Sequence, residues 1–114
     1  MWRIYSVDSV LFLLHRLTGI GLFVYLLAHI YTISTAMLFG PAAFDAAMRF
    51  FAQPEMFLVD VLLFGSLVFH AVNGIRLIAH ERGWWLERAD MLSRATVLGW
   101  LGLWGGMIAA AVAV

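Results

Sequence analysis

Three long apolar runs fix the class of this chain before any single residue is weighed. They cover approximately 10–39, 56–80 and 94–114. Each is long enough to cross a bilayer, which takes about 20 residues. Lipid offers the backbone no hydrogen-bond partner, so each run is expected to be an α-helix. Composition points the same way: 64% hydrophobic and 12% charged residues leave too little polar surface for a soluble domain of this size. The expected fold is all-α, a single transmembrane domain over 1–114 with three spans. The first run is too long for a signal-peptide core, and no small-residue cleavage site closes it. It is expected to remain as span one.

What the chain lacks narrows its chemistry. It has no cysteine, so disulfides, thiolate metal sites and redox thiols are excluded. Its seven basic residues are all arginine, balanced by seven acids. They form no basic patch, so nucleic acid is not an expected partner. No Ser/His/Asp or Cys/His triad and no glycine-rich phosphate loop can be assembled from these residues.

The connections carry the punctuation. Gly40-Pro41 and Gln53-Pro54 bracket the first, and between them Pro41 to Phe51 suits a short amphipathic helix at the interface. The second carries most of the charge and the Trp84-Trp85 pair, which fits an interfacial aromatic belt. Arg3 and Arg16 flank span one on the side that also receives Arg76, Arg82, Arg88 and Arg94, against Arg49 alone on the other. The positive-inside rule then places the N-terminus inside and the C-terminus outside.

The histidines are the residues that a plain anchor would not need, because an imidazole inside a bilayer segment is costly without a partner. Of His15, His29, His70 and His80, the last sits at a charged helix end and reads as a solvated head group. His70 lies about 9 Å deeper than Arg76, and His29 about 21 Å deeper than His15, at the rise of an α-helix. In upright helices the two deep histidines differ in depth by roughly 12 Å. They cannot be opposite ligands of one small metal ion, and they fit one haem poorly. Each is either a packing histidine bonded to a neighbouring helix or an axial haem ligand that takes its opposite ligand from another chain.

The surroundings of His70 favour the haem reading. Gly74 lies one turn on, and Gly65 and Ser66 lie about one turn before, so a flat macrocycle could approach. Arg76, with Arg16 and His15 expected at a similar level, suits charge-assisted bonds to propionates, against the plain alternative of snorkelling arginines. Asn73 is open to an interhelical hydrogen bond. In span three, Gly102 and Gly106 form a close-packing motif for a sister subunit, a further small subunit or another copy. Trp100 and Trp104 are expected to face lipid or another chain. Asp60 is expected near the outer end of span two, hydrated or paired.

Two segments carry a family resemblance. "LLHRLTGIGLF", Leu13 to Phe23, resembles the H-R-x-[ST]-G motif that opens the first span of the cytochrome b membrane-anchor subunit of succinate dehydrogenase, respiratory complex II. "FHAVNGIRLIAHE", Phe69 to Glu81, resembles the second motif of that family, H-x-x-x-G-I-R-H-x-x-x-D. Three spans, an inside N-terminus and the length also match, although span three carries no motif.

The resemblance implies a subunit that is not catalytic alone. With a second membrane-anchor subunit it would complete a helix bundle, anchor a flavoprotein and an iron–sulfur subunit, and form part of a quinone site in the cytoplasmic membrane of a bacterium or archaeon. A trimer of the whole complex is also implied. His70 resembles the axial ligand of haem b, and His29 the ligand of a second haem found in some members, so that one or two haems are expected. His15 and Arg16 resemble residues at the haem propionates and the quinone, and Arg76 matches the G-I-R arginine. Many members carry a serine three residues before the first-motif histidine. Here Phe12 stands there, and Ser9, two turns before Arg16 on the same face, is the candidate to replace it. The family's second-motif R-H is Arg76-Leu77, and Glu81 stands for the usual aspartate.

Three other readings remain open at this stage. They are the anchor of a quinol:fumarate reductase, a haem-free structural anchor, and a transporter or channel subunit. The last is disfavoured because Asp60 is the only acid well inside a span.

Overall fold

A computed structural model of the chain describes residues 7–114. Arg3, one of the arginines of the orientation reading, lies outside them. The element order is α1 Val7–Phe39, α2 Pro41–Phe51, α3 Met56–Glu81, a single 3₁₀ turn at Leu86–Arg88, and α4 Ala89–Ala113. No strand occurs among the described residues. The three long helices α1, α3 and α4 are long and apolar enough to cross a membrane. The expected spans and the short helix between the first two are all present.

Length explains the polar end of α1. Its 33 residues make a rod of about 50 Å, against a hydrocarbon core of about 30 Å. The excess is taken up by tilt or by protrusion. The helix starts before the apolar run does, which places Asp8 in its first turn, where an acid suits the positive end of the helix dipole.

The turns follow from the residues that bound them. Gly40 sits at φ 91° and ψ 170°, a region open essentially to glycine alone. Pro41 follows at the first position of α2, where its missing N–H costs nothing. After α3, Gly83 at φ 76° and Trp85 at φ 53° reverse the chain. Trp84 and Trp85 stay exposed, as an interfacial pair would.

Helix α3 is the hub. It packs against both α1 and α4, and 17% of its most apolar stretch is buried, against 6% for each of the others. The α3–α4 seam is set by aromatic rings turned inward. Trp100 Nε1 donates to the Gly65 carbonyl at 2.9 Å, and Trp104 Nε1 donates to the Val61 carbonyl at 2.8 Å. Each carbonyl has a second lone pair to offer beyond its helical bond. The two indoles stack at 5.4 Å, and Phe69 meets Trp100 edge-on at 5.0 Å. This corrects the expectation that Trp100 and Trp104 face lipid or another chain. Indole N–H groups in hydrocarbon need acceptors, and α3 supplies them. Gly65 is the space that admits the ring: a Cβ there would stand 2.5 Å from Trp104 Cε2. Gly65 therefore serves this seam and not a macrocycle. Gly99, Gly102 and Gly106 meet no other side chain within 4 Å, which leaves that strip of α4 open.

Burial is uneven along the bundle. Leu11, Phe69, Asn73, Arg76, Ala79, Ser93 and Thr96 are all buried toward the end where α1 begins and α3 turns into α4, here called the basic end. Toward α2 only Thr35 and, near mid-helix, Gly65 are buried among the described residues.

Candidate functional site

The first motif wraps the histidine of the second. His15, Thr18 and Gly19 sit at i, i+3 and i+4 on one face of α1, and all three meet α3 there. The His15 and His70 rings stack with centroids 4.1 Å apart and planes 10° from parallel. Thr18 Oγ1 lies 3.2 Å from His70 Nδ1. A Cβ on Gly19 would come within 3.0 Å of His70 Cε1, so glycine gives the ring its room. Among the described residues His70 Nε2 has no hydrogen-bond partner. His15 Nδ1 is buried and also has none. A Cβ on Gly74 would stand 3.7 Å from His15 Cε1, an ordinary contact. Gly74 therefore faces the neighbouring imidazole, where the sequence suggested room for a macrocycle.

Arg76 stands away from this pair, toward the end of the bundle. Its side chain is buried, and Nε donates to Asn73 Oδ1 at 3.0 Å while Nη1 donates to Ser93 Oγ at 3.3 Å. Ser93 Oγ in turn donates to Asp8 Oδ1, which also lies 3.6 Å from Arg76 Nη1. One guanidinium thus ties α1, α3 and α4 together. The sequence placed Arg76 level with His15 and Arg16. The structure instead sets it opposite Asp8, about two turns along α1 from His15. Asn73 serves its own helix, and its Nδ2 is buried without a partner. Asp8 and Ser93 were missed from sequence. Asp8, Leu11, His15 and Thr18 repeat at the spacing of one helix face, and that spacing was the available signal for Asp8.

Ser9, Phe12 and Arg16 lie together on an exposed strip of α1. The Arg16 guanidinium lies 5.8 Å from the Phe12 ring centroid, and both side chains face outward. His29 is exposed toward the α2 end, against the Tyr25 ring at 5.6 Å. It borders a cavity of about 240 Å³ shared with Asp60, Leu63, Met48 and Phe51. Because His15 stacks on His70, His29, fourteen residues further along α1, lies about 21 Å from His70 along the axis. The two histidines are thus separate in depth as expected, but by more than the roughly 12 Å of the sequence arithmetic, which took Arg76 to be level with His15. His80 does not match its expected solvation, because its Nε2 is covered and has no partner.

The fold and this site define a class: a three-span helical membrane subunit in which one span's H-R-L-T-G segment clasps a histidine of the next. Residues 1–113 match the family described as Succinate dehydrogenase/Fumarate reductase transmembrane subunit, and the chain belongs to that family. Over 65 residues it is 34% identical to the Succinate dehydrogenase 2 membrane subunit SdhC of Mycobacterium tuberculosis (strain ATCC 25618 / H37Rv). That match takes in 56% of this chain and 46% of the relative, so the chain spans about half the relative's length.

Proposed function

We propose that this chain is the haem b-binding membrane anchor of a succinate:quinone oxidoreductase. In this reading it holds the flavoprotein and iron–sulfur subunits at the membrane together with a second anchor subunit. The observation that carries the proposal is the state of His70. Its ring is fixed on one face by His15 and at Nδ1 by Thr18, while Nε2 has no partner within the described residues. An unpartnered polar atom in lipid is costly, and Nε2 of His70, unlike the covered Nε2 of His80, stays open to a partner from outside the chain. His70 therefore fits an axial ligand, with the sister subunit supplying the opposite one. Bound there, haem b would carry single electrons between the iron–sulfur chain and the quinone site.

The other site residues take roles consistent with their exposure. Arg16 faces outward beside Phe12 and Ser9, where it would orient a quinone carbonyl in a pocket shared with partner subunits. A fixed guanidinium stabilises the negative charge that develops on the quinone oxygen during reduction. His15, stacked on His70 and with Nδ1 unpartnered, would reach a propionate. Arg76 is committed to Asp8, Ser93 and Asn73, so its part in this reading is to set the spacing of the helices around His70. His29 would bind a second haem, and the haem number, one or two, depends on it. The basic end is assigned to the cytoplasmic side by its arginines.

Replacing His70 by alanine tests the proposal. Membranes with the His70→Ala subunit are expected to lose the haem b bands of the dithionite-reduced minus oxidised spectrum that arise at this site. Full retention of those bands would leave a haem-free structural anchor as the better account.

A further inference from the structure

We infer that Thr18 is a positioning residue that decides which ring nitrogen of His70 is free to bind iron. This rests on the reading of His70 as a haem ligand and deepens it. A neutral imidazole carries one N–H, and only the other nitrogen has the lone pair that a metal requires. The contacts of one hydroxyl select between them. Thr18 Oγ1 donates its single proton back along α1, to the Leu14 carbonyl at 2.8 Å, with the His15 carbonyl sharing it at 3.1 Å. That proton is therefore unavailable to His70. At 3.2 Å from Nδ1 the hydroxyl can act only as acceptor, so Nδ1 carries the hydrogen and donates it. Nε2 is left with its lone pair and with no competing partner among the described residues.

The same contacts hold the ring in this sense. Turning it over about the Cβ–Cγ bond would bring a carbon against the hydroxyl in place of Nδ1. His15 covers one face at 4.1 Å, and the ring edge fits against the bare Cα of Gly19. The motif's Thr18-Gly19 pair thus acts on a residue 52 positions away from Thr18 in sequence.

Donation from Nδ1 also strengthens the ligand. An outer hydrogen bond of this kind raises the basicity of a coordinating imidazole, and its loss typically costs about 10–100-fold in metal affinity. A more basic ligand favours ferric over ferrous iron, so losing the bond should raise the midpoint potential of the haem.

The test uses the assembled complex with Thr18→Val, which keeps the shape and removes the hydroxyl, and Thr18→Ser, which keeps the hydroxyl. Two quantities are read: the loss of haem to an apoprotein scavenger, and the midpoint potential from a redox titration of the haem bands. Thr18→Val should release haem more readily by about 10–100-fold and shift the potential upward, and Thr18→Ser should restore both. Were Thr18→Val to fail to assemble, Thr18→Ala against Thr18→Ser gives the same comparison. Wild-type retention and potential in the hydroxyl-free complex would overturn the inference while leaving His70 as ligand. Full haem retention in His70→Ala would instead remove the reading beneath it.

Discussion

The two ends of this bundle solve the membrane problem in opposite ways. At the basic end, polar side chains are spent on one another: buried Arg76, Asn73 and Ser93, with the exposed Asp8, link all three spans. Toward α2, the polar groups stay at the margin: His29 and Asp60 border an open cavity, and α2 leans against α1 without a buried residue of its own. A charge in hydrocarbon is expensive unless paired, so the end that carries a guanidinium inward has to be closed within the chain. The other end can wait for a partner. The difference teaches where this subunit is complete and where it is half of something. The guanidinium of Arg76 is engaged within the chain, with Asn73 Nδ2 the one buried polar atom of its cluster left unpartnered. By contrast, the strip of Arg16 faces outward, and His70 Nε2 and the glycines of α4 meet no partner among the described residues.

Substitutions can break or sharpen that contrast, and thermal unfolding of the detergent-solubilised complex reads them. The largest effect is expected at Gly65. Gly65→Val forces a side chain into Trp104, costing about 1–3 kcal/mol for overpacking and about 1 kcal/mol more for the lost indole bond to Val61. Arg76→Met comes next. It strands Asn73 Oδ1, at about 1–3 kcal/mol for an orphaned buried group, while Ser93 keeps its bond to Asp8, and little is added from Asp8, which is 66% exposed. Trp104→Phe keeps an aromatic ring but removes the pyrrole half of the indole with its N–H, for about 0.5–1.5 kcal/mol from the lost bond and a smaller further cost for the space vacated. The smallest effect is expected at the α2 end, where His29→Leu should stay within about 0.5 kcal/mol. If His29→Leu matched Arg76→Met, the two ends would be equally built and the contrast would fail. The same His29 variant sharpens the cofactor question: it should halve the haem content if the complex holds two haems and leave it unchanged if it holds one.

The spans were legible because bilayer thickness and backbone hydrogen bonding leave few alternatives for long apolar runs. The short helix α2 was legible from Gly40-Pro41 and Gln53-Pro54. That His29 and His70 lie at different depths was legible from helical rise, but the size of the separation was not, because it depends on the register of α1 against α3. What sequence could not give was the facing of each helix. Gly65 and Gly74 read as open space, but across-helix geometry fills one with Trp104 and the other with His15. Trp100 and Trp104 read as lipid-facing because apolar surroundings erase the amphipathic contrast that normally marks a buried face. Arg76 read as available because its partners Asp8 and Ser93 are 68 and 17 positions away in the chain, beyond any local pattern. Thr18 stood inside a quoted motif, yet only the contact with His70 gives it a task.

The central claim is that His70 holds iron from one side while a sister subunit holds it from the other. The most direct measurement is haem b per flavin in the purified complex, wild type against His70→Ala. The account predicts that the variant complex assembles with its flavin and loses one haem per flavin. An unchanged ratio would contradict it and leave His70 as a packing residue.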